Sequence, residues 1–529
     1  MNNQTNNKST KGEKISEDFF QVAPTLKNTF ESDPLLKKYL QKKLSKDIYQ
    51  TVSPELKKLG DLAVGEMLTW AWDAEKNPPR HIPYDPWGRR IDEIQCADGW
   101  KQMESTAARF GIVAAGYERT YGEFSRIFQM SLLYLYHPSS AFGSCPLAMT
   151  DGATRAIELY GNAELKSRAF QHLTSRDPQQ FWTSGQWMTE KTGGSDVSGT
   201  LTKAVFDGHQ YRLYGTKWFT SATTSPMAMT LARIEGAEPG SRGLSLFYLE
   251  TKNSQGSLNN ILIHRLKDKM GTKALPTAEL TLDGTPAQLV GGEGHGVRKI
   301  SSLFNITRIY NAICAVGQMR RALDLSQAYS NVRSAFGKRL IDHPLHQQTL
   351  LEMELEWKGS FLLVMRACEL LGKDECGKAS EQESSLLRVL TPLAKLYTGK
   401  AVVRVCSEAL ECFGGAGYVE DTGLPRLLRD GQVLSIWEGT TNVLSLDMLR
   451  AFEKEKGFEA LQTEFQEKIA SIQNSALKMV LQKNLEQATT HFQSTLKKGP
   501  DALLARARHI AMNLTQVYIE ILIAEFDQN

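Results

Sequence analysis

Two hydrophobic periods alternate along this chain, and the changeovers divide it. From about 25 to 180 the pattern is mostly helical, with aromatic-rich runs such as Phe124 to Tyr136. The segment around Pro78-Pro79 and Pro83…Pro86 interrupts it and predicts a loop, because proline removes an N–H and restricts the residue before it. From about 181 to 290 the period becomes two. Met227, Met229 and Leu231 alternate with Ala228, Thr230 and Ala232, and Tyr211 and Leu213 with Arg212 and Tyr214. Short runs of this kind, separated by Gly and Thr, predict a small antiparallel β domain, barrel or sandwich. The helical period then returns: Ile306, Ile309, Ile313 and Val316 step by 3, 4 and 3, which puts one apolar stripe on a helix. Gly399 to Leu410 and Leu444 to Phe452 read similarly. After about 450, Ala507, Ala511, Leu514, Tyr518 and Ile521 step by 4, 3, 4 and 3 and predict a separate helical region ending in an amphipathic helix. The expected fold class is therefore α+β, mainly α. Its parts are a disordered polar tail over 1–20, a helical domain over 21–180, the β domain over 181–290, a helical bundle over 291–450 and an additional helical domain over 451–529.

Composition narrows this only slightly. A chain of 529 residues exceeds one compact core and implies several domains. Sixty-two basic against 59 acidic residues leave a net charge of +3, so the whole chain carries no strong field for nucleic acid. Seven scattered cysteines, an odd number without metal-type spacing, favour reduced thiols in a cytoplasmic protein and predict no metal site. The polar start Met1 to Lys14 reads as neither a secretory signal nor a membrane anchor, and no run approaches the length of a bilayer span.

Three stretches carry candidate chemistry. Ser435-Ile436-Trp437-Glu438-Gly439-Thr440-Thr441-Asn442 sets one carboxylate between an apolar dipeptide and a small-polar cluster. Partial desolvation by Ile436 and Trp437 raises a carboxyl pKa, and turns Glu438 into a candidate base near neutral pH. Gly439 lets backbone approach a ligand, and Thr440, Thr441 and Asn442 offer it hydrogen bonds. Read alone, a helix-terminating turn with an exposed Glu is the commoner explanation. Thr189 to Val197 combines glycine freedom with hydroxyl and backbone donors, a composition suited to cradling an anionic cofactor. Its plain alternative is a Gly-rich connector between helix and strand. Arg333, ahead of Phe336-Gly337, ends a helix where a guanidinium can grip a pyrophosphate bidentately. A surface arginine at a helix C-terminus is the plain alternative there.

Six blocks in this order resemble the acyl-CoA dehydrogenase family of FAD flavoproteins. They are Met188-Thr189-Glu190-Lys191-Thr192-Gly193-Gly194-Ser195-Asp196, Lys217-Trp218-Phe219-Thr220, Lys269-Met270-Gly271, Arg333…Phe336-Gly337, Phe413-Gly414-Gly415-Ala416-Gly417-Tyr418 and Ile436-Trp437-Glu438-Gly439-Thr440. Lys191, the Trp437…Asn442 form and the segment Asn77-Pro78-Pro79…Tyr84-Asp85…Gly88-Arg89-Arg90 look like the AidB branch, associated with the adaptive response to alkylation. The resemblance implies an N-terminal helical domain and a C-terminal four-helix bundle enclosing the β domain, FAD between the latter two, a further C-terminal helical domain, and a homotetramer built as a dimer of dimers. The implied FAD contacts are Met188, Thr189, Gly194, Ser195, Trp218, Phe219, Thr220, Gly414, Gly415, Ile436, Trp437, Gly439, Thr440 and Asn442. Phe336 joins this set with Arg333, whose family counterpart reaches the FAD of the neighbouring subunit. Ser195 and Arg308 are the implied substrate contacts. Four positions depart from the family pattern. His343-Pro344 replaces His-Gln, with Gln347 one turn later, and Glu411 stands where Gln is usual. Thr307 occupies the alternative base position, which leaves Glu438 as the base. Asn305 stands where an Asp helps to hold CoA.

The reaction so implied is α,β-dehydrogenation of an acyl-CoA or similar thioester, a CH–CH oxidation. Glu438 takes the α-proton while a hydride leaves the β-carbon for flavin N5, and the electrons pass to an unnamed acceptor. The Glu438 N–H and a flavin hydroxyl would polarise the thioester carbonyl. A flavoprotein that holds a fatty-acyl lipid without turnover is an alternative. The AidB likeness adds duplex DNA as a third candidate partner, with Lys497, Lys498, Arg506 and Arg508 as contacts. Residues 451–529 hold nine Lys plus Arg and ten Asp plus Glu, a net of −1, so a solvated helix face is the commoner explanation of that cluster.

Overall fold

The computed structural model describes residues 21–528; the expected tail over 1–20 lies outside the described residues. The N-terminal part is helical as the period predicts: α1 (Pro34–Lys43), α2 (Lys46–Leu62), α3 (Glu66–Lys76), α4 (Asp98–Arg109), α5 (Ala114–Glu118), α6 (Ser125–Tyr136) and α7 (Ser144–Tyr160), then α8 (Ala163–Leu165) and α9 (Gln171–Leu173) flanking one π-helical turn. The proline-rich interruption is not a plain loop. It forms an antiparallel hairpin of β1 (Arg80–Tyr84) and β2 (Arg90–Gln95), whose register shifts at Pro83, between Ile82 and Tyr84. A proline is tolerated there because the strand has no second neighbour in its sheet.

The β domain comprises β3 (Ser184–Trp187), β4 (Lys203–Phe206), β5 (Tyr211–Ser221), β6 (Met227–Ile234), β7 (Leu244–Glu250), β8 (Ile261–Leu266) and β9 (Thr277–Val290). Pairing runs β6-β4-β5-β9-β7 and returns through β7–β6, so the sheet closes as a barrel, with β3 and β8 added outside the ring. The expectation of an antiparallel domain is corrected in part: most pairs are antiparallel, but β3 and β4 both pair with β6 in parallel. The alternation in β6 marks two buried faces rather than one. Met227, Met229 and Leu231 join a core shared with α7, whereas Ala228 and Ala232 join the barrel interior with Trp187, Leu213 and Phe247.

The free edge of β8 is covered by the hairpin: Arg90 Nη2 donates to the Ile263 carbonyl at 2.8 Å, and the Ile263 N–H donates to Asp92 Oδ2 at 3.2 Å. This protects an edge strand from pairing with another chain.

The bundle consists of α10 (Gly296–Val332), α11 (Pro344–Glu375), α12 (Glu381–Cys412), α13 (Pro425–Val433) and α14 (Thr441–Lys454). Ser380 and Glu383 form a capping box that starts α12. Beyond it follow α15 (Gly457–Ser471), α16 (Ser475–Lys497) and α17 (Pro500–Gln528). These three, expected as an additional helical domain, pack against the bundle. Leu461, Phe465, Ile469, Leu514 and Tyr518 share one continuous core with the bundle and the N-terminal helices. Arg366 of α11 also reaches Glu464 of α15, at 2.9 Å. Apolar stripes on α15 and α17 are too large to stay wet, and the bundle is the surface available to bury them. Among the described residues no helix is long and apolar enough to cross a membrane.

Candidate active site

A cavity of about 720 Å³ opens between the β domain, α7, α10 and the turn that precedes α14. Glu438 sits in its wall. The turn exists because two consecutive residues take left-handed backbone, Glu438 at φ 56° and Gly439 at φ 103°. For a glutamate this conformation is costly, and such outliers concentrate at functional sites. Thr440 then caps the start of α14 with extended backbone.

The surroundings of Glu438 set its proton affinity. Burial raises its pKa above the ordinary value. The Thr307 hydroxyl, the Arg308 guanidinium, Lys395 and the Gln186 carboxamide each pull it back down. Thr307, one turn of α10 before Asn311 and two turns before Cys314 on the same wall, donates to Glu438 Oε2 at 2.6 Å. Arg308 is fixed by Asp447, whose other oxygen is held by Arg388, both at 2.7 Å. Buried Lys395 donates to the Gly439 carbonyl at 2.6 Å, and desolvation brings its pKa down to about 7. Asn311, with its amide oriented to satisfy its neighbours, accepts from Trp437 Nε1 and donates to the Leu434 carbonyl at 3.0 Å. The turn is thus held from α10 on one side and α12 on the other.

Met188, Thr189, Gly194, Ser195, Phe219, Arg308, Ile436, Trp437, Glu438, Gly439 and Thr440 all line this cavity, so most of the residues singled out in the sequence converge. Others lie elsewhere. Trp218 stands beside it with Lys267 Nζ 3.6 Å and Lys191 Nζ 4.9 Å from its ring centre. Thr220 is fully buried and donates to the Ala278 carbonyl. Asn442 is exposed on α14.

Arg333, Phe336, Gly414 and Gly415 lie on the outer surface, where Phe336 is 97% exposed and Tyr418 88%. The two segments approach each other: Leu340 and Ala416 pack on the same small cluster of Tyr329, Phe413 and Leu424. The Gln347 amide donates to the Ile341 carbonyl at 2.9 Å. Lys497, Lys498, Arg506 and Arg508 are exposed around the turn from α16 to α17.

Several wall residues escaped the sequence reading: Ser144, Cys145, Gln186, Lys269, Tyr310, Asn311 and Cys314. Lys269 was quoted only as part of a motif. Desolvation brings its amine down to about 8, and it donates to the Leu275 carbonyl at 2.5 Å. A carboxamide in a strand, or a cysteine in a helix, carries no signal of which cavity it faces.

The residues fit a flat, largely apolar cofactor with hydrogen-bonding edges. Phe219, Met270 and Ile436 leave apolar side chains about half exposed at the cavity mouth. Gln186 Oε1 is buried in its wall with no hydrogen-bond partner. Thr189, Gly194 and Ser195 supply hydroxyl and backbone groups on one side, and Thr440 on the other.

Comparison with known proteins agrees with this arrangement. Residues 21–178 match the adaptive response protein AidB N-terminal domain, 185–285 the acyl-CoA dehydrogenase middle domain and 294–452 the acyl-CoA dehydrogenase C-terminal domain. Acyl-CoA dehydrogenase family member 11 of Caenorhabditis elegans is 44% identical over 519 residues, which span 94% of this chain and 84% of that protein. Its crystal structure as ACDH-11 in complex with C11-CoA superposes with a TM-score of 0.94, covering 97% of this chain and 90% of that one. The putative acyl-CoA dehydrogenase AidB of Escherichia coli strain K12 is 32% identical, over 76% of this chain and 74% of its own. Bd2924 in its apo-form is 55% identical, with a TM-score of 0.90 over 96% of this chain and all of that one. Matched in order along all three domains and over most of the length of these relatives, the chain belongs to the acyl-CoA dehydrogenase family of flavin-dependent CH–CH oxidoreductases and carries the AidB type of N-terminal domain.

Proposed function

We propose that the cavity oxidises an acyl thioester at its α,β bond, with FAD as cofactor and Glu438 as the base. The observation that supports this most is the Glu438 carboxyl: it stands on the cavity wall, burial lifts its pKa, and one of its oxygens is held by Thr307. A base must be unprotonated at rest yet accept a proton readily, and a carboxyl that burial lifts while Thr307, Arg308 and Lys395 favour its charged form is placed for both. With Oε2 engaged, Oε1 is the oxygen offered to the substrate α-proton. Arg308, pinned by Asp447, favours the carboxylate from a fixed position. The Glu438 N–H is the candidate donor to the thioester carbonyl, where enolate charge develops. When bound, FAD supplies the acceptor for the hydride that leaves the β-carbon.

An acyl-CoA is the ligand best supported, since ACDH-11 has been crystallised with C11-CoA. A volume of about 720 Å³ lies in the usual range of small-molecule and cofactor sites. Arg333, Phe336, Gly414 and Gly415 do not belong to the same cavity, and the exposed apolar Phe336 and Tyr418 beside them need a cover. Contact with the FAD of a neighbouring subunit, in a dimer of dimers, is the role we assign to them. No observation favours duplex DNA: the four basic residues at the α16–α17 turn sit in a region whose net charge is −1.

The test is anaerobic bleaching of the FAD-loaded protein by acyl-CoAs of graded length. Wild type should bleach with at least one length, and Glu438→Gln should do so about 10²–10⁴-fold more slowly, the usual share of a positioned base. Acyl-CoA binding without bleaching would make the chain a binding protein. An unchanged rate in Glu438→Gln would remove the base assignment.

A further inference from the structure

Two of the sequence blocks contain a charged residue that lines nothing. Glu190, from the Thr-Glu block, and Lys217, from the Lys-Trp block, are both buried, and they meet inside the barrel wall: Lys217 Nζ donates to Glu190 Oε1 at 2.8 Å and to the Leu231 carbonyl at 3.1 Å. The same carboxylate accepts from the Leu201 N–H at 2.7 Å, the Thr202 N–H at 3.2 Å and the Thr202 hydroxyl at 2.5 Å. Glu190 opens the loop that runs to Leu201, so one carboxylate ties the loop's end to its beginning, and Lys217 ties both to β5 and β6. Other bonds fix the frame outside the clasp. The Trp218 N–H donates to the Thr189 carbonyl at 2.9 Å, and the Arg233 N–H to the Thr202 carbonyl at 2.9 Å. Between the anchors Lys191, Thr192, Gly194, Ser195 and Asp196 are exposed, with little packing of their own.

We propose that the Glu190–Lys217 pair is a positioning device: it holds the loop in the shape that presents Thr189, Gly194 and Ser195 to the ligand, and it touches no ligand itself. The inference rests on the reading that this loop contacts FAD. A buried pair is weak evidence for stability, because desolvating two charges offsets most of their attraction. What the pair uniquely supplies is an acceptor that can take several donors at once, and an apolar pair of equal volume cannot do that.

That difference separates positioning from mere packing. The double variant Glu190→Met/Lys217→Met should keep the melting temperature of the apoprotein near wild type, since neither charge is left alone. Its Leu201 and Thr202 amides should exchange hydrogen much faster than in wild type. Its FAD Kd should weaken on the order of tenfold, the size of loss seen when an outer hydrogen-bonded support is removed from a metal site. A double variant that keeps both amides protected, or binds FAD within twofold of wild type, overturns the proposal. Should that variant not fold, Thr202→Val removes only the hydroxyl donor and leaves the ion pair. Loosened exchange at 201–202 and weaker FAD binding are then expected, and wild-type values of both overturn it. Amide exchange in the apoprotein reads the clasp without FAD. If wild type itself fails to bind FAD, the functional reading fails while the exchange result stands by itself.

Discussion

At the scale of single residues, the site depends on what opposes the burial of Glu438. By resemblance, Thr307 is expected at an alternative base position, and a hydroxyl there cannot act as a carboxylate. The structure gives it another task, donation to Glu438 Oε2. A donor to the charged form lowers a pKa, so Thr307→Val should raise that of Glu438 further. With Glu438 as the proposed base, which works deprotonated, the acidic limb of the kcat/KM profile should move to higher pH. A hydrogen bond to a charged group is worth about 1.5–3 kcal/mol, which corresponds to a displacement of about one to two pH units. The check is the pH dependence of flavin reduction. A limb that stays in place, or moves to lower pH, would show that Thr307 does not tune the base.

At the scale of elements, α12 matters through a residue with no side chain. A Cβ on Gly399 would lie 2.6 Å from the Leu434 carbonyl oxygen and 3.2 Å from the Ser435 Cα, atoms of the backbone that leads into Ile436 and Glu438. Backbone cannot move aside as a flexible side-chain end does. Gly399→Ala should therefore cost about 1–3 kcal/mol, the usual penalty of overpacking, and should displace the turn that carries the base. Thermal unfolding should show the loss, and single-turnover bleaching should slow in parallel. Wild-type values for both would mean that α12 does not back the turn. The hairpin β1–β2 teaches a related lesson: proline signals marked an interruption correctly, but a hairpin was built there because side chains of Arg90 and Asp92 bond the edge of β8.

At the scale of the whole molecule, buried polar groups couple stability to pH. His137 is buried between α6 and α7, with Nδ1 2.7 Å from the Ser144 hydroxyl and its ring 4.8 Å from that of Phe142. Desolvation lowers its pKa from 6.5 to about 4. The unfolded chain then takes up a proton near pH 6.5 while the native state resists until about pH 4. Stability is complete above the first value and falls progressively as pH drops towards the second, by up to about 3 kcal/mol. Urea midpoints at several pH values should fall along that window in wild type and less steeply in His137→Asn. Equal slopes would assign the acid sensitivity to other groups.

The linear chain determined the elements and the chemistry on offer. Periods near 3.6 and 2 reflect which positions a helix or strand must bury, so α10, α12, α17 and β6 were legible, and so was a desolvated acid beside Ile436 and Trp437. Spacing along the chain does not encode what a side chain meets across it. Thr307 lies 131 positions from Glu438 and Glu190 lies 27 from Lys217, and only packing brings each pair together. The tertiary structure alone decided that the strands close into a barrel and that α15–α17 share the bundle's core. It also decided that the carboxylate of the Thr-Glu block faces a lysine instead of a ligand. The reason is that burial and pairing are properties of neighbours in space, and those are chosen by the fold as a whole.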